Sequence, residues 1–375
     1  MSRARGTIGW LPRSLHPLAW WLWALGLTVA ASRTTNPVLL GAVLGVVVWV
    51  VLARRSDEPW ANAFRLYVLG GLVIVVIRVV FRVVFGGDQG QTVLLPLPTI
   101  PLPSIAAVHL FGNVTAESLL GGFYDALRLA TMLICLGAAN ALANPRRLLR
   151  SLPPALHEVS TAVVVALSVF PQLAESVVRV RRARRLRAGS DGSGIKAMRL
   201  VVIPVLEDAL DRSLLLAASM DSRGYGRTGD RTRRMIWLTG GLLVTGLAGI
   251  CVGVYALLDG TTPRILASPM LVCAVILGSL GIGLSGRGVR RSSYRPDRWG
   301  TAELVVVASG VVAGVVVYLT SRVDPANLNP SLYPLQWPQV SWLPMVGILA
   351  GLVPAFATPP PAGSGSVERP LEVGA

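Results

Sequence analysis

A chain segment buried in lipid must satisfy its own backbone hydrogen bonds, so only helices and closed barrels cross a bilayer. That constraint governs this sequence, because apolar runs recur at residues 15–31, 37–52, 66–85, 117–143, 235–258, 268–285, 301–320 and 341–357. A spanning helix takes roughly 20 apolar residues, whereas a barrel strand takes about 10 with alternating polarity. The runs here are continuous, so the sequence predicts an all-α polytopic membrane protein with about eight transmembrane helices. A 53% hydrophobic, 14% charged composition and a mean hydropathy of +0.60 agree with that reading.

A net charge of +16 would point to nucleic acid in a soluble protein. Here the arginines gather at the ends of apolar runs, as the positive-inside rule demands, and they suit an anionic inner leaflet. Residues 86–117 contain no Lys or Arg and are rich in proline (Pro96, Pro98, Pro101, Pro103), which places them outside. Two short strands, 91–97 and 105–111, are expected to pair in this outer loop. Thr115 reads as the N-cap of the next helix, with Glu117 in its first turn. Arg54 and Arg55, Arg146 and Arg147, the arginines of 172–234, and Arg287, Arg290, Arg291, Arg295 and Arg298 then share the cytoplasmic side with both termini. Keeping them together requires the short apolar segment 154–171 to be an in-plane or re-entrant helix rather than a span.

Residues 172–234 are the one long polar stretch. The first half, QLAESVVRVRRARRLRAG, crowds Arg179, Arg181, Arg182, Arg184, Arg185 and Arg187 into one helical segment. The second, from about Pro204, sets Leu206, Leu210, Leu214 and Ala217 on one helical face, with Glu207, Asp208, Asp211 and Arg212 elsewhere. Each half ends on an arginine near a glycine, Arg187 before Gly189 and Arg223 before Gly224, and glycine is a natural helix stop. Arginine near a C-terminus also suits the helix dipole. Two such endings in tandem favour a docking device, in which an apolar stripe with charged flanks seats in a partner's groove. The basic stripe could instead meet lipid headgroups. It lacks the interleaved aromatics of a nucleic-acid surface, so no nucleic-acid partner is expected. The division is then 1–171, an N-terminal membrane region; 172–234, the coupling region; 235–358, a C-terminal membrane region; and 359–375, a Pro/Gly/Ser-rich disordered tail.

Catalytic chemistry is not evident. The only lysine, Lys196, sits in no phosphate-binding loop pattern. Cys135, Cys251 and Cys273 lie singly in apolar runs and read as small buried hydrophobes. His16, His109 and His157 lack metal-ligand spacing, so no metal site or cofactor is expected. Three charged residues fall inside apolar runs as candidate intramembrane polar contacts: Arg78, expected to face protein, and Asp125 and Arg128, spaced to pair. Arg82, one turn from Arg78, lies near the run's outer end and can snorkel. Gly41/Gly45 and Gly310/Gly314 have the spacing that allows close helix packing. A cleavable leader ending at Val29-Ala30-Ala31 is less expected than a retained helical hairpin.

The order of these features resembles the transmembrane (T) component of energy-coupling factor transporters, the EcfT/CbiQ family. The resemblance rests on GNVTAESLLGGFYDALRLA, NPRRLLRSLPP, FPQLAESVVRVRRARRLRAG and AASMDSRGYG, from about residue 112 to 225. In that family two cytoplasmic coupling helices each end in an Ala-Arg-Gly-like triplet. Ser222-Arg223-Gly224 fits the second, and Leu186-Arg187-Ala188 keeps the arginine of the first with Leu and Ala beside it. The resemblance implies a non-catalytic scaffold in a bacterial plasma membrane. It would hold two cytoplasmic ABC ATPase subunits through those triplets and a substrate-binding membrane subunit (S component) elsewhere, for vitamin or transition-metal uptake, with membrane lipids around it. A conventional ABC permease lining its own path, or a membrane enzyme acting on lipids or isoprenoids, are the alternatives. The topology is tested in a cysteine-free background: an impermeant thiol reagent added to intact cells should label a cysteine placed at residue 90 and spare one at residue 190. The reverse pattern would invert the chain and remove the coupling role with it.

Overall fold

The computed structural model describes residues 13–56, 62–85, 90–98, 100–101, 109–110, 112–151, 156–188, 195–222, 224, 232–259, 263–286 and 299–359. The arginines of 287–298, the 105–108 part of the expected second strand, and all but the first residue of the expected tail lie outside the described residues. The chain divides into two compact units, Met1–Leu148 with Asp297–Ala375, and Leu149–Pro296.

In the first unit, helices begin where capping chemistry predicts. α1 (Pro17–Ser32) starts with Pro17 behind His16, whose Nδ1 accepts from the Leu18 amide at 3.3 Å. α2 (Pro37–Arg54) starts with Pro37 behind Asn36, whose side chain accepts from Val38 N at 3.0 Å. Proline at the first helical position forgoes only an amide that would have no partner in the helix. α3 (Phe64–Phe85) leads to a loop of nested strand pairs, β1 (Val93–Pro96) with β4 (Asn113–Thr115) and β2 (Ile100–Pro101) with β3 (His109–Leu110). The expected outer-loop pairing therefore needs a correction. The first strand pairs with the residues just before the next helix, and only the loop's inner turn uses part of 105–111. Glu117 explains this: it accepts from the Thr92 amide at 3.1 Å and the Thr92 hydroxyl at 2.9 Å, which draws β1 against the start of α4. Thr115 caps α4 (Ala116–Leu142) as expected, accepting from Ser118 N.

α1 is the centre of this unit. Trp23, Leu27, Leu39, Val43, Val47, Ile134, Cys135, Val306, Val317 and Ile348 join α1, α2, α4, α10 (Thr301–Val323) and α12 (Trp342–Ala350) in one core. Apolar side chains alone give no drive for helices to associate in lipid, so close approach and polar contacts decide the packing. A Cβ on Gly310 would lie 2.5 Å from the Trp23 Cα, and one on Gly314 would lie 2.8 Å from the Gly26 carbonyl oxygen. Gly41 and Gly45, with the same spacing on α2, would meet nothing within 4 Å. One of the two small-residue pairs is thus a packing seam. Polar ties reinforce it: Trp23 Nε1 donates to Gly351 O at 3.0 Å, and the buried Thr34 hydroxyl donates to Leu328 O at 2.6 Å. At the other end, the buried Glu303 carboxylate pairs with Arg13 and accepts from Gly300 N at 2.9 Å.

The second unit holds α6 (His157–Ala188), α7 (Ile195–Ser222), α8 (Arg233–Leu258) and α9 (Arg264–Gly286). Gly246, Gly249 and Gly253 let α8 lie against Gly278, Ala274 and Leu271 of α9. Among the described residues seven helices are long and apolar enough to cross a membrane, and the shorter Pro17–Ser32 and Trp342–Ala357 are also apolar. One of the seven, Val159–Ala183, runs past Pro171, the expected end of the short in-plane or re-entrant segment. α6 continues through Pro171, because a helix-interior proline removes one backbone bond without having to end the helix. Cys251 and Cys273 also depart from expectation: both are exposed on α8 and α9, and Cys135 is buried.

The glycine seam yields a paired prediction. Gly310→Leu should cost at least about 1–3 kcal/mol by overpacking, read as a lower unfolding temperature in detergent and loss of monodisperse protein. Gly41→Leu should leave both unchanged.

Candidate functional site

The arginine-rich α6 and the amphipathic α7 meet through polar groups. Ser176 of α6 donates its hydroxyl to Asp208 Oδ2 of α7 at 2.8 Å. Arg212, one turn after Asp208, donates from Nε to Asp208 Oδ1 at 3.1 Å and reaches back to Gln172 Oε1 of α6 at 3.4 Å. Ser176 is buried, and Val205 is the only large apolar side chain of α7 that is buried among the described residues. A carboxylate holding one hydroxyl and one guanidinium fixes two helices at one point and one rotation.

The Ser176 hydrogen bond, with burial opposing it and Arg212 adding to it, holds the Asp208 carboxyl below its ordinary 3.8. A group whose folded pKa is depressed lends stability above its unfolded pKa and loses it as pH falls through the folded one. The Asp208 contribution to the crossing is therefore present at neutral pH and lost in acid.

From the crossing, both helices run on to the predicted docking ends. At 1.5 Å per residue, residue 187 lies about 17 Å beyond Ser176, and residue 222 about 21 Å beyond Asp208. Leu186 is 84% exposed near the end of α6. Arg187 and Ala188 belong to the last turn of that helix. At the end of α7, Ser222 is exposed and its hydroxyl donates to Ser219 O at 2.9 Å. Gly224 follows with φ +74° and its amide donates to Asp221 O at 2.9 Å. A Cβ there would meet nothing within 4 Å, so backbone conformation rather than crowding is what glycine supplies. Arg223 and Gly189 lie outside the described residues. The stripe of Leu206, Leu210, Leu214 and Ala217 is exposed along α7. That helix begins at Ile195, nine residues before the expected start near Pro204, which it carries in its interior.

The candidate intramembrane residues lie in the other unit. Asp125 and Arg128 pair at 3.5 Å, as their spacing predicts. Arg78, expected to face protein, lines a groove between α3 and α4 and is exposed there, while Gly122 opposite is covered by the Arg82 side chain. His16 is a helix cap, its ring 5.1 Å from that of Trp299. Among the described residues no three His, Cys, Asp or Glu side chains gather as a metal-binding group.

The family model described as CbiQ, cobalt transport protein, matches residues 11–234. The chain belongs to that family. Membership makes it a membrane transport component, and a comparison with curated proteins gives no match. In this CbiQ-family chain the matched segment runs from α1 through α7 to the first residues of α8, with α9, α10 and α12 beyond it. The sequence showed where the two helices stop but not where they begin, nor the Ser176–Asp208 bond between them. The i, i+4 spacing of Asp208 and Arg212 was its only readable trace.

Asp208→Ala should speed amide hydrogen exchange on both helices around residues 176 and 208 at neutral pH. Wild-type protein should show the same loss of protection only on acidification, toward and below pH 4, and Asp208→Ala should show no further acid effect there. Equal exchange in both proteins at every pH would remove the crossing from the account.

Proposed function

We propose that this chain is the non-catalytic transmembrane scaffold of an energy-coupling factor importer, holding two cytoplasmic ABC ATPase subunits and a separate substrate-binding membrane subunit. The observation that carries the proposal is the α6–α7 pair: two helices locked at one polar crossing, each running on to an exposed end with an arginine in the sequence. Residues Leu186, Arg187, Ala188, Ser222, Arg223 and Gly224 form the two ATPase-coupling ends. Their arginines engage carboxylates and backbone carbonyls of the ATPases, for which a planar guanidinium is suited. ATP binding and hydrolysis in the partners displace the coupling ends, and the helices carry the displacement to the substrate-binding subunit. The cargo is a vitamin or a transition metal ion, with the cobalt of the family description among the candidates.

Charge reversal tests this directly. Arg187→Glu and Arg223→Glu should each weaken ATPase recovery in a pull-down, because breaking one charged pair at an interface costs roughly 2–5 kcal/mol. That is about thirtyfold or more in affinity. The double variant should abolish uptake while keeping normal membrane insertion. Arginines that serve only the helix dipole would contribute about 0.3–1 kcal/mol of local stability and leave assembly intact. Full ATPase recovery and uptake by the double variant would therefore eliminate the coupling assignment.

A further inference from the structure

α3 is nearly bare: of its 22 residues only Gly71 is buried, and it packs on α4 through Tyr67 against Gly137 and Gly71 against Ile134. Toward its C-terminal end, α3 and α4 part to leave a groove of about 350 Å³ lined by Arg78, Phe81, Arg82, Phe85, Gly122 and Asp125. Among the described residues neither Arg78 nor Arg82 takes a hydrogen-bond or ion-pair partner, and both are exposed. Counted back from Phe85 at 1.5 Å per residue, Arg82 lies about 5 Å and Arg78 about 11 Å inside the helix end. Helical side chains tilt toward the N-terminus, so Arg78 points away from the nearer membrane surface. An uncompensated guanidinium at that depth is costly, and intramembrane charges face a partner or a polar cavity.

We propose that this groove is a binding site for one phospholipid headgroup, drawn in from the leaflet at the C-terminal end of α3. The arginines stand one turn apart on one face, about 5–6 Å between their Cβ atoms, so two guanidinium forks converge on a single phosphate. Gly122 makes the approach possible, since a Cβ there would lie 2.6 Å from Arg82 Cγ. The Phe81 and Phe85 rings, stacked 5.4 Å apart, form an apolar wall for the glycerol and upper acyl chain. Asp125 selects the occupant. Its carboxylate, paired with Arg128 at 3.5 Å, keeps lone pairs for a donor. Ethanolamine and glycerol headgroups carry N–H or O–H donors beyond the phosphate. A carboxylate on a partner's membrane helix has no such donor to offer Asp125. The recess also suits an inserted headgroup better than a flat helix face. The inference rests on the membrane fold of this chain and is independent of the coupling proposal.

Native mass spectrometry of the purified full chain in mild detergent tests it, with phosphatidylethanolamine, phosphatidylglycerol, phosphatidylcholine or inorganic phosphate added singly. One phosphatidylethanolamine or phosphatidylglycerol should stay bound per chain. Retention should fall at least about tenfold, or 1.4 kcal/mol, in Arg78→Gln/Arg82→Gln and in Gly122→Leu, which fills the groove and keeps both charges. Arg65→Gln, at the opposite end of α3, should retain lipid normally. Phosphatidylcholine, lacking a headgroup donor, should bind more weakly, and Asp125→Asn should narrow that difference. A photoactivatable phosphatidylethanolamine should crosslink wild-type protein within 78–85 or 122–125, a readout that requires no variant to fold. Equal lipid retention by wild type and both groove variants, displacement by inorganic phosphate, or crosslinks confined to other helices would each overturn the proposal.

Discussion

Where Gly26 of α1 meets Gly310 and Gly314 of α10, helices from the two ends of the sequence touch main chain to main chain. In lipid this is the contact that matters most, because a leucine seam between spans gains nothing over the same leucines in hydrocarbon. Backbone proximity brings dispersion contacts that acyl chains cannot supply as densely. It also sets the position of everything fixed to α1: α2 through the 33–36 turn, α4 through Ile134, Cys135 and Ala138, and α12 through Trp23. The first unit is therefore discontinuous in sequence. The helices after residue 296 are part of the same body as α1, although the family match ends at residue 234.

Polar groups in this body are spent on joining chain segments rather than on chemistry. Asn36 caps α2 through its side-chain oxygen and donates its amide to the Asn327 and Gln339 carbonyls, so one buried side chain ties two loops. Arg54 closes the opposite end of α2, donating to the Ala355 carbonyl at 2.7 Å and to Pro354 O. Glu117 and Glu303 each accept from backbone amides beside a helix start. A buried polar group without a partner costs more than a made hydrogen bond returns. Within α3, Arg78 and Arg82 have no partner among the described residues, and they carry the lipid-site inference.

Element type and several termini were legible in the sequence because they follow from local chemistry. Thr115 as a cap, Gly224 as a left-handed stop, and the Asp125–Arg128 pair all depend on residues within four positions of one another. What failed to read was non-local. The sequence could not say which GxxxG-spaced pair had a partner, since Gly41/Gly45 and Gly310/Gly314 look alike until α1 is placed. It could not pair β1 with β4 across a proline-rich loop. It also took the polarity change at Pro171 for a helix end. The polarity of α6 changes at Pro171, but the helix continues through the proline.

The way α6 and α7 are joined bears on the coupling role proposed for them. Two amphipathic helices can be fixed to each other by burying their apolar stripes in a common seam, but that would leave only charged faces for other partners. Here a serine, an aspartate, an arginine and a glutamine make the junction, and Leu206, Leu210 and Leu214 remain outward along α7. A polar junction also defines a single register. Shifting α6 by one residue would set Glu175 or Val177 against Asp208 in place of Ser176, whereas a leucine seam tolerates small slips. A scaffold that relays movement between soluble and membrane partners needs that combination. Its arms must keep their mutual position under load, and the apolar surface that meets the next component must stay uncommitted.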